Sequence, residues 1–269
     1  MRKFAMKREI GVMGIQVGIT DDKHDNLMRA LSLIEEGFRR YKKIDCICLP
    51  ELYYSNPTKE NRSYIGEQLD SEFFQEFSRC AKEHDVNIIT GSYPLIKGDK
   101  LLNTCLCINR EGQLIGDYSK THLFDAFTSK ESETVDAGNE IGIFDFDFGK
   151  VGIAICYELR FTEYLRTLAL KDIDVLFVPS AFYTPRHDQW DVLVQSAALH
   201  NLLYVVALNQ YNDHFFGRSC IADPCGLVVS RASDQEGIMY GVLDMDYQQR
   251  IRQQVPTYQN RRPELYDVK

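Results

Sequence analysis

No apolar run in this chain approaches the ~18 residues that cross a bilayer as a helix, which excludes a membrane-spanning helix and leaves no membrane partner to expect. No basic stripe with interleaved aromatics appears. With a net charge of −8, no nucleic-acid partner is expected, and Arg261-Arg262 is too short to change that. The six histidines are scattered, and the eight cysteines form no Cys-x-x-Cys pair, so neither a metal nor a cofactor is expected. The leading segment Met1-Arg-Lys-Phe-Ala-Met-Lys-Arg-Glu9 lacks the apolar core of a secretory signal. Cys46, Cys48, Cys105 and Cys107 alternate within buried-strand patterns and read as reduced core thiols of a cytoplasmic protein. No linker, low-complexity stretch or internal repeat divides the 269 residues, so one domain over 1–269 is expected.

A hydrophobic content of 44% supplies one substantial two-sided core, and its patterning alternates strand and helix. Period-2 or fully apolar runs predict strands over 9–18, 44–50, 87–93, 101–109, 113–118, 141–148, 150–156, 174–179, 202–209, 219–222, 227–230 and 239–243. Helical periodicity predicts helices over 21–41, 70–84 and 187–201, and a helix-prone polar segment over 158–166. The fold class is α/β, with two layers of sheet and helices outside.

Three charged or nucleophilic side chains stand where strands end. Val151-Gly-Ile-Ala-Ile-Cys156 delivers a thiol to a strand-to-helix junction, where backbone N–H groups and the helix dipole favour the thiolate and lower its pKa. Glu51 follows the short strand and proline of Ile44-Asp-Cys-Ile-Cys-Leu-Pro50, and Lys120 follows the strand ending near Ser119. In open α/β sheets, strand ends at one edge converge on a crevice. Taken singly, each has a plainer reading: a small apolar core thiol, or a solvated loop charge.

Leu49-Pro-Glu51, Lys120-Thr-His122 and Cys156-Tyr-Glu-Leu-Arg-Phe161 resemble the three signature blocks of the nitrilase superfamily, the carbon–nitrogen hydrolases. Glu131-Ser-Glu-Thr and Phe216-Gly-Arg-Ser-Cys-Ile-Ala-Asp-Pro-Cys-Gly226 resemble two further family segments, and Arg262-Pro-Glu-Leu-Tyr266 resembles the ending of its amidase-like members. The resemblance implies a four-layer α-β-β-α sandwich, paired into a homodimer or higher homo-oligomer. It also implies hydrolysis of a small linear carboxamide or N-carbamoyl compound through a cysteine thioester.

That chemistry needs a proton acceptor for the thiol, a donor for the developing oxyanion and a proton for the departing nitrogen. Glu51 is the candidate base, Lys120 the oxyanion cation, and the Tyr157 N–H the second oxyanion donor. By resemblance Glu131 supports substrate, Lys120 or proton transfer, with its neighbour Glu133 a lesser rival. His122 could form a cysteine–histidine pair, but the resemblance gives proton transfer to Glu51 and leaves His122 a structural place.

Ala181 and Phe182 follow a strand end where the family places its substrate, and Arg160 is open to either a substrate carboxylate or a local salt bridge. The residues after Cys156 look closer to omega-amidase-like and carbamoyl-amide members than to nitrilases, so amides are expected ahead of nitriles. A catalytically silent scaffold is the third reading, against which the intact trio counts. Two departures stand out: Ala197-Ala-Leu-His-Asn201 lacks an arginine and a glutamate common in omega-amidase-like chains, and Arg218 stands where many members have histidine.

Overall fold

The computed structural model describes residues 8–266, so the leading segment at residues 1–7 lies outside the described residues. Strand β1 (Glu9–Gln16) opens the chain and helix α1 (Lys23–Arg40) follows. Asp22 starts that helix by accepting from the His24 and Asp25 N–H groups, satisfying two donors that a helix start leaves free. Leu27, Ala30, Leu31 and Ile34 recur at helical spacing and form its buried face. Gly37 lets α1 lie close on the sheet, because a Cβ there would stand 2.0 Å from the Met13 sulfur.

The chain then alternates: β2 (Cys46–Cys48), α2 (Glu72–His84), β3 (Asn87–Lys97), β4 (Lys100–Ile108) and β5 (Leu114–Ser119). The second half runs β6 (Gly142–Phe146), β7 (Gly149–Ile153), α3 (Thr162–Leu170), β8 (Val175–Ser180), α4 (His187–Asn201) and β9 (Tyr204–Asn209). It closes with β10 (Cys220–Ala222), β11 (Val228–Arg231), β12 (Gly237–Asp244) and α5 (Met245–Gln254).

These strands form two six-stranded mixed sheets, ordered β12-β1-β2-β3-β4-β5 and β11-β10-β9-β8-β7-β6. Each is built on three parallel strands, β1-β2-β3 in one and β7-β8-β9 in the other, with antiparallel strands added outside. Period-2 alternation sorts side chains between layers. Ile10, Val12, Cys46 and Cys48 join the core between the sheets, while Met13, Ile15, Ile47 and Leu49 face α1 and α2. On the far side, Leu165, Leu168, Trp190 and Val194 of α3 and α4 cover the second sheet. The result is the α-β-β-α layering.

All eight cysteines are free, and four of the buried ones lie between the sheets. Among the described residues no helix is long and apolar enough to cross a membrane, and no group of three or more His, Cys, Asp or Glu could hold a metal.

Candidate active site

Both sheets contribute to one crevice. Glu51 leaves the carboxyl end of β2, yet its backbone is held from the opposite sheet: its N–H donates to the Ser180 carbonyl at 3.3 Å, and Gln210 Nε2 donates to its carbonyl at 2.7 Å. Lys120 follows β5, its N–H donating to the Asn103 carbonyl of β4 at 2.9 Å. Cys156 stands past β7 at the start of a 3-10 turn, Cys156–Arg160. Glu131 opens another, Glu131–Glu133. Cys156 (φ 49°) and Leu52 (φ 49°), next after Glu51, are both held in the left-handed region. Such backbone costs of order 1–3 kcal/mol each and persists only where the surroundings enforce it.

The side chains meet. Lys120 Nζ lies 2.8 Å from Glu51 Oε1 and 2.8 Å from Glu131 Oε2, with the Lys120 side chain 2% and the Glu51 side chain 3% exposed. Asn103 Nδ2 donates to Glu51 Oε1 at 2.9 Å and to Glu131 Oε1 at 3.0 Å. The Ala181 N–H donates to Glu51 Oε2 at 2.9 Å, and the Phe124 N–H to Glu131 Oε2 at 2.6 Å. Burial favours a neutral Lys120, but Glu131, Glu51 and Cys156 outweigh it and hold the ammonium well above the ordinary lysine range.

The thiol behaves otherwise than expected. Burial, and after it the Glu51 carboxylate, push the Cys156 thiol well above its usual range, with Lys120 opposing them. The expected lowering relied on a helix dipole. Here only a five-residue 3-10 turn follows the cysteine, α3 begins at Thr162, and desolvation dominates. The resting side chain is therefore a thiol beside an acceptor.

A cavity of about 190 Å³ opens on this cluster, with Glu51, Lys120, Glu131 and Cys156 in its lining. It lies below the range of pockets built for drug-sized ligands. Tyr157, Arg160, Ala181 and Phe182 also line it, as do Tyr183 and Arg186. Arg160 makes no local salt bridge among the described residues. Its Nη2 donates to Gln189 Oε1 at 2.8 Å, and its guanidinium lies 5.0 Å from the Phe182 ring centroid. Arg186 packs over Phe127 at 4.3 Å and likewise has no carboxylate partner among the described residues. Glu133 lies outside the cavity in a surface ion pair with Lys59, and His122 stacks on Phe161 at 4.0 Å without lining the cavity.

Sequence reasoning missed Asn103, Arg186 and the place of Glu158. The Glu158 side chain is fully buried and accepts from Tyr118 Oη (2.7 and 2.9 Å), the Thr121 hydroxyl (2.8 Å) and three backbone N–H groups: Ile155 (2.7 Å), Thr121 (2.9 Å) and His122 (3.1 Å). It thereby ties the residue before Cys156 to the two after Lys120. Burial raises its pKa, but hydrogen bonds from His122, Ile155, Tyr118 and Thr121 prevail and leave it below the usual carboxylate range. A depressed carboxylate stabilises the fold above its unfolded pKa, and the contribution disappears as pH falls through the folded value. Glu158→Gln is expected to cost about 3 kcal/mol in urea melts at neutral pH, and the gap to wild type should narrow near pH 3. An equal gap at both pH values would contradict this account of Glu158.

Two stacked mixed sheets with acid, ammonium and thiol buried at a shared edge define a hydrolase of the nitrilase superfamily. The chain belongs to the carbon-nitrogen hydrolase family, whose model matches residues 11–253. It is 34% identical over 265 residues to the omega-amidase NIT2 of Homo sapiens, covering 94% of this chain and 95% of that protein. Among solved structures it is similar to Nit3 of Saccharomyces cerevisiae, a member of branch 10 of the nitrilase superfamily, with TM-score 0.87, 32% identity, and 96% and 98% of the two chains covered. A carbon-nitrogen hydrolase from Helicobacter pylori shares the fold at TM-score 0.90 and 22% identity, over 97% of each chain. The chain is accordingly a hydrolase acting on amides.

Proposed function

We propose that the protein releases ammonia from small linear amides that carry a carboxylate at the far end. The observation that supports this most is the buried contact of Lys120 with two carboxylates beside Cys156, in a cavity that also presents two guanidinium groups without carboxylate partners among the described residues. As the Cys156 sulfur attacks the amide carbon, its proton passes to Glu51, and the carbonyl oxygen gathers charge against Lys120 Nζ and the Tyr157 N–H. Protonated Glu51 then gives the proton to the departing nitrogen. The carbon–nitrogen bond breaks, and a thioester and ammonia remain. Glu51 next removes a proton from water, whose oxygen replaces sulfur on the acyl carbon, and the proton returns to the thiol as the acid leaves. Glu131 keeps the ammonium of Lys120 in place throughout.

Arg160 and Arg186 suit a substrate carboxylate, Phe182 and Tyr157 suit its methylene chain, and the Ala181 N–H orients Glu51. The relatives named omega-amidases support this choice of amide. We take residues 1–269 as one working unit that acts in the cytoplasm and pairs with a second copy. Val192 and Leu199, exposed on α4, suit such a contact.

Ammonia release measured over linear amides with and without a distal carboxylate, N-carbamoyl compounds and nitriles tests the reading. The carboxylate-bearing amides should turn over fastest. Arg160→Leu should raise KM for them about 10- to 100-fold with kcat nearly kept, because the lost charge-assisted bond acts on ground and transition state alike. Product from nitriles alone, or an unchanged KM, would overturn the assignment.

A further inference from the structure

We propose that Asn103 is a positioning residue that orients Glu51 so that Oε2, and not Oε1, takes the thiol proton. The inference rests on the catalytic reading above and deepens it. Asn103 sits within β4, fully buried. Its amide nitrogen and the Lys120 ammonium together close a four-membered ring of contacts. Each nitrogen touches both Glu51 Oε1 (2.9 and 2.8 Å) and Glu131 Oε1 (3.0 and 3.1 Å).

The two donors are not equivalent. An ammonium group swivels about its carbon–nitrogen bond and holds charge without fixing a plane, whereas an amide offers two N–H bonds in one plane. Asn103 spends both of them on the two carboxylates, and so dictates how each carboxylate is turned. The thiol hydrogen-bonds Glu51, and with Oε1 occupied by two donors, Oε2, held by the Ala181 N–H at 2.9 Å, is the oxygen we assign to it. The other half of the Asn103 amide supports the same conclusion. Its Oδ1 is buried with no hydrogen-bond partner among the described residues. A buried acceptor left bare is unfavourable, yet turning the amide over would set that oxygen against two carboxylates. The side chain also does not titrate, so it donates at every pH.

The charged and titratable groups facing Glu51 are Lys120 after β5, Glu131 of the 131–133 turn, Cys156 after β7 and Tyr183 after β8. Removing the Asn103 donor leaves one cation to serve both carboxylates. Without that in-plane donor Oε1 is no longer fixed, and Glu51 loses the orientation that aims Oε2 at the thiol.

Two variants test this in the full-length protein. Asn103→Leu keeps the branched outline and removes the donor. Asn103→Asp keeps the shape and can donate only while protonated. Asn103→Leu should lower kcat about 10- to 100-fold with KM little changed. Asn103→Asp should keep measurable turnover at low pH and lose it as pH rises, where wild type does not. If the leucine variant fails to fold, the aspartate profile decides alone. A folded leucine variant with the kcat of wild type, or a folded aspartate variant whose kcat/KM profile coincides with that of wild type, would overturn the role of Asn103. Acyl trapping on wild-type Cys156 separates the two failures. No trapped acyl group sinks the catalytic reading, whereas a trapped acyl group with unchanged variant kinetics sinks only the inference about Asn103.

Discussion

Lys120→Met is expected to abolish useful turnover, with kcat down by about 10³-fold, and to cost about 3–5 kcal/mol of stability at neutral pH. Both losses arise from one atom. Lys120 Nζ lies within 2.8 Å of both Glu51 and Glu131, so the variant buries two carboxylates with no cation between them. In wild type the ammonium is held above the ordinary lysine range. A raised lysine pKa stabilises the fold fully below the unfolded value, and the contribution fades only as pH rises through the folded one. That window is alkaline, so wild type keeps the contribution at neutral pH. Denaturant melts at pH 7 together with ammonia assays check both parts. A variant as stable as wild type at pH 7, or one still turning over, would remove Lys120 from the centre of the site.

Cys156→Ala should be the more extreme catalytically and the milder structurally. Loss of a nucleophile leaves only binding and oxyanion stabilisation, so kcat should drop by about 10⁴-fold or more. Alanine keeps a Cβ at the same left-handed backbone position (φ 49°) and removes only one sulfur, so stability should move by about 1 kcal/mol or less. Because burial and Glu51 raise the thiol, alkylation of wild type without substrate should be slow near neutrality and accelerate as pH rises. The alkylation time course, followed by mass, reads this directly. Rapid alkylation in mild acid would show a resting thiolate and contradict the arrangement described.

The layers were legible in the sequence because apolar alternation sorts side chains whatever the details of connection. Helix α4 spans His187–Asn201 as its periodicity predicts. Helix α5 was not legible: Met245–Gln254 buries only Met245 and Gln248, so it presents almost no apolar stripe. Its one local signal is Asp244, whose carboxylate accepts the Tyr247 N–H at 2.9 Å. Strand β7 ends at Ile153, three residues before the predicted end at Cys156, because the chain must bend to present the thiol.

At the site, Glu51, Lys120 and Cys156 were visible as polar residues at strand exits. Asn103 carried a signal that went unused, since an amide in the otherwise apolar run Leu101-Leu-Asn-Thr-Cys-Leu-Cys-Ile108 demands a buried partner. Glu158 was hidden for the opposite reason. In a polar segment it looks like a helix surface charge, and only the 3-10 turn aims it inward.

Turnover depends on carbon from the substrate becoming bonded to one particular sulfur. Acid-quenching the enzyme during turnover of a slowly hydrolysed amide, followed by peptide mass mapping, tests this most directly. The predicted result is the acyl mass on the peptide containing Cys156, lost when Cys156→Ala is treated in the same way. An acyl group found on another residue, or steady ammonia release with no adduct under the same quench, would contradict it.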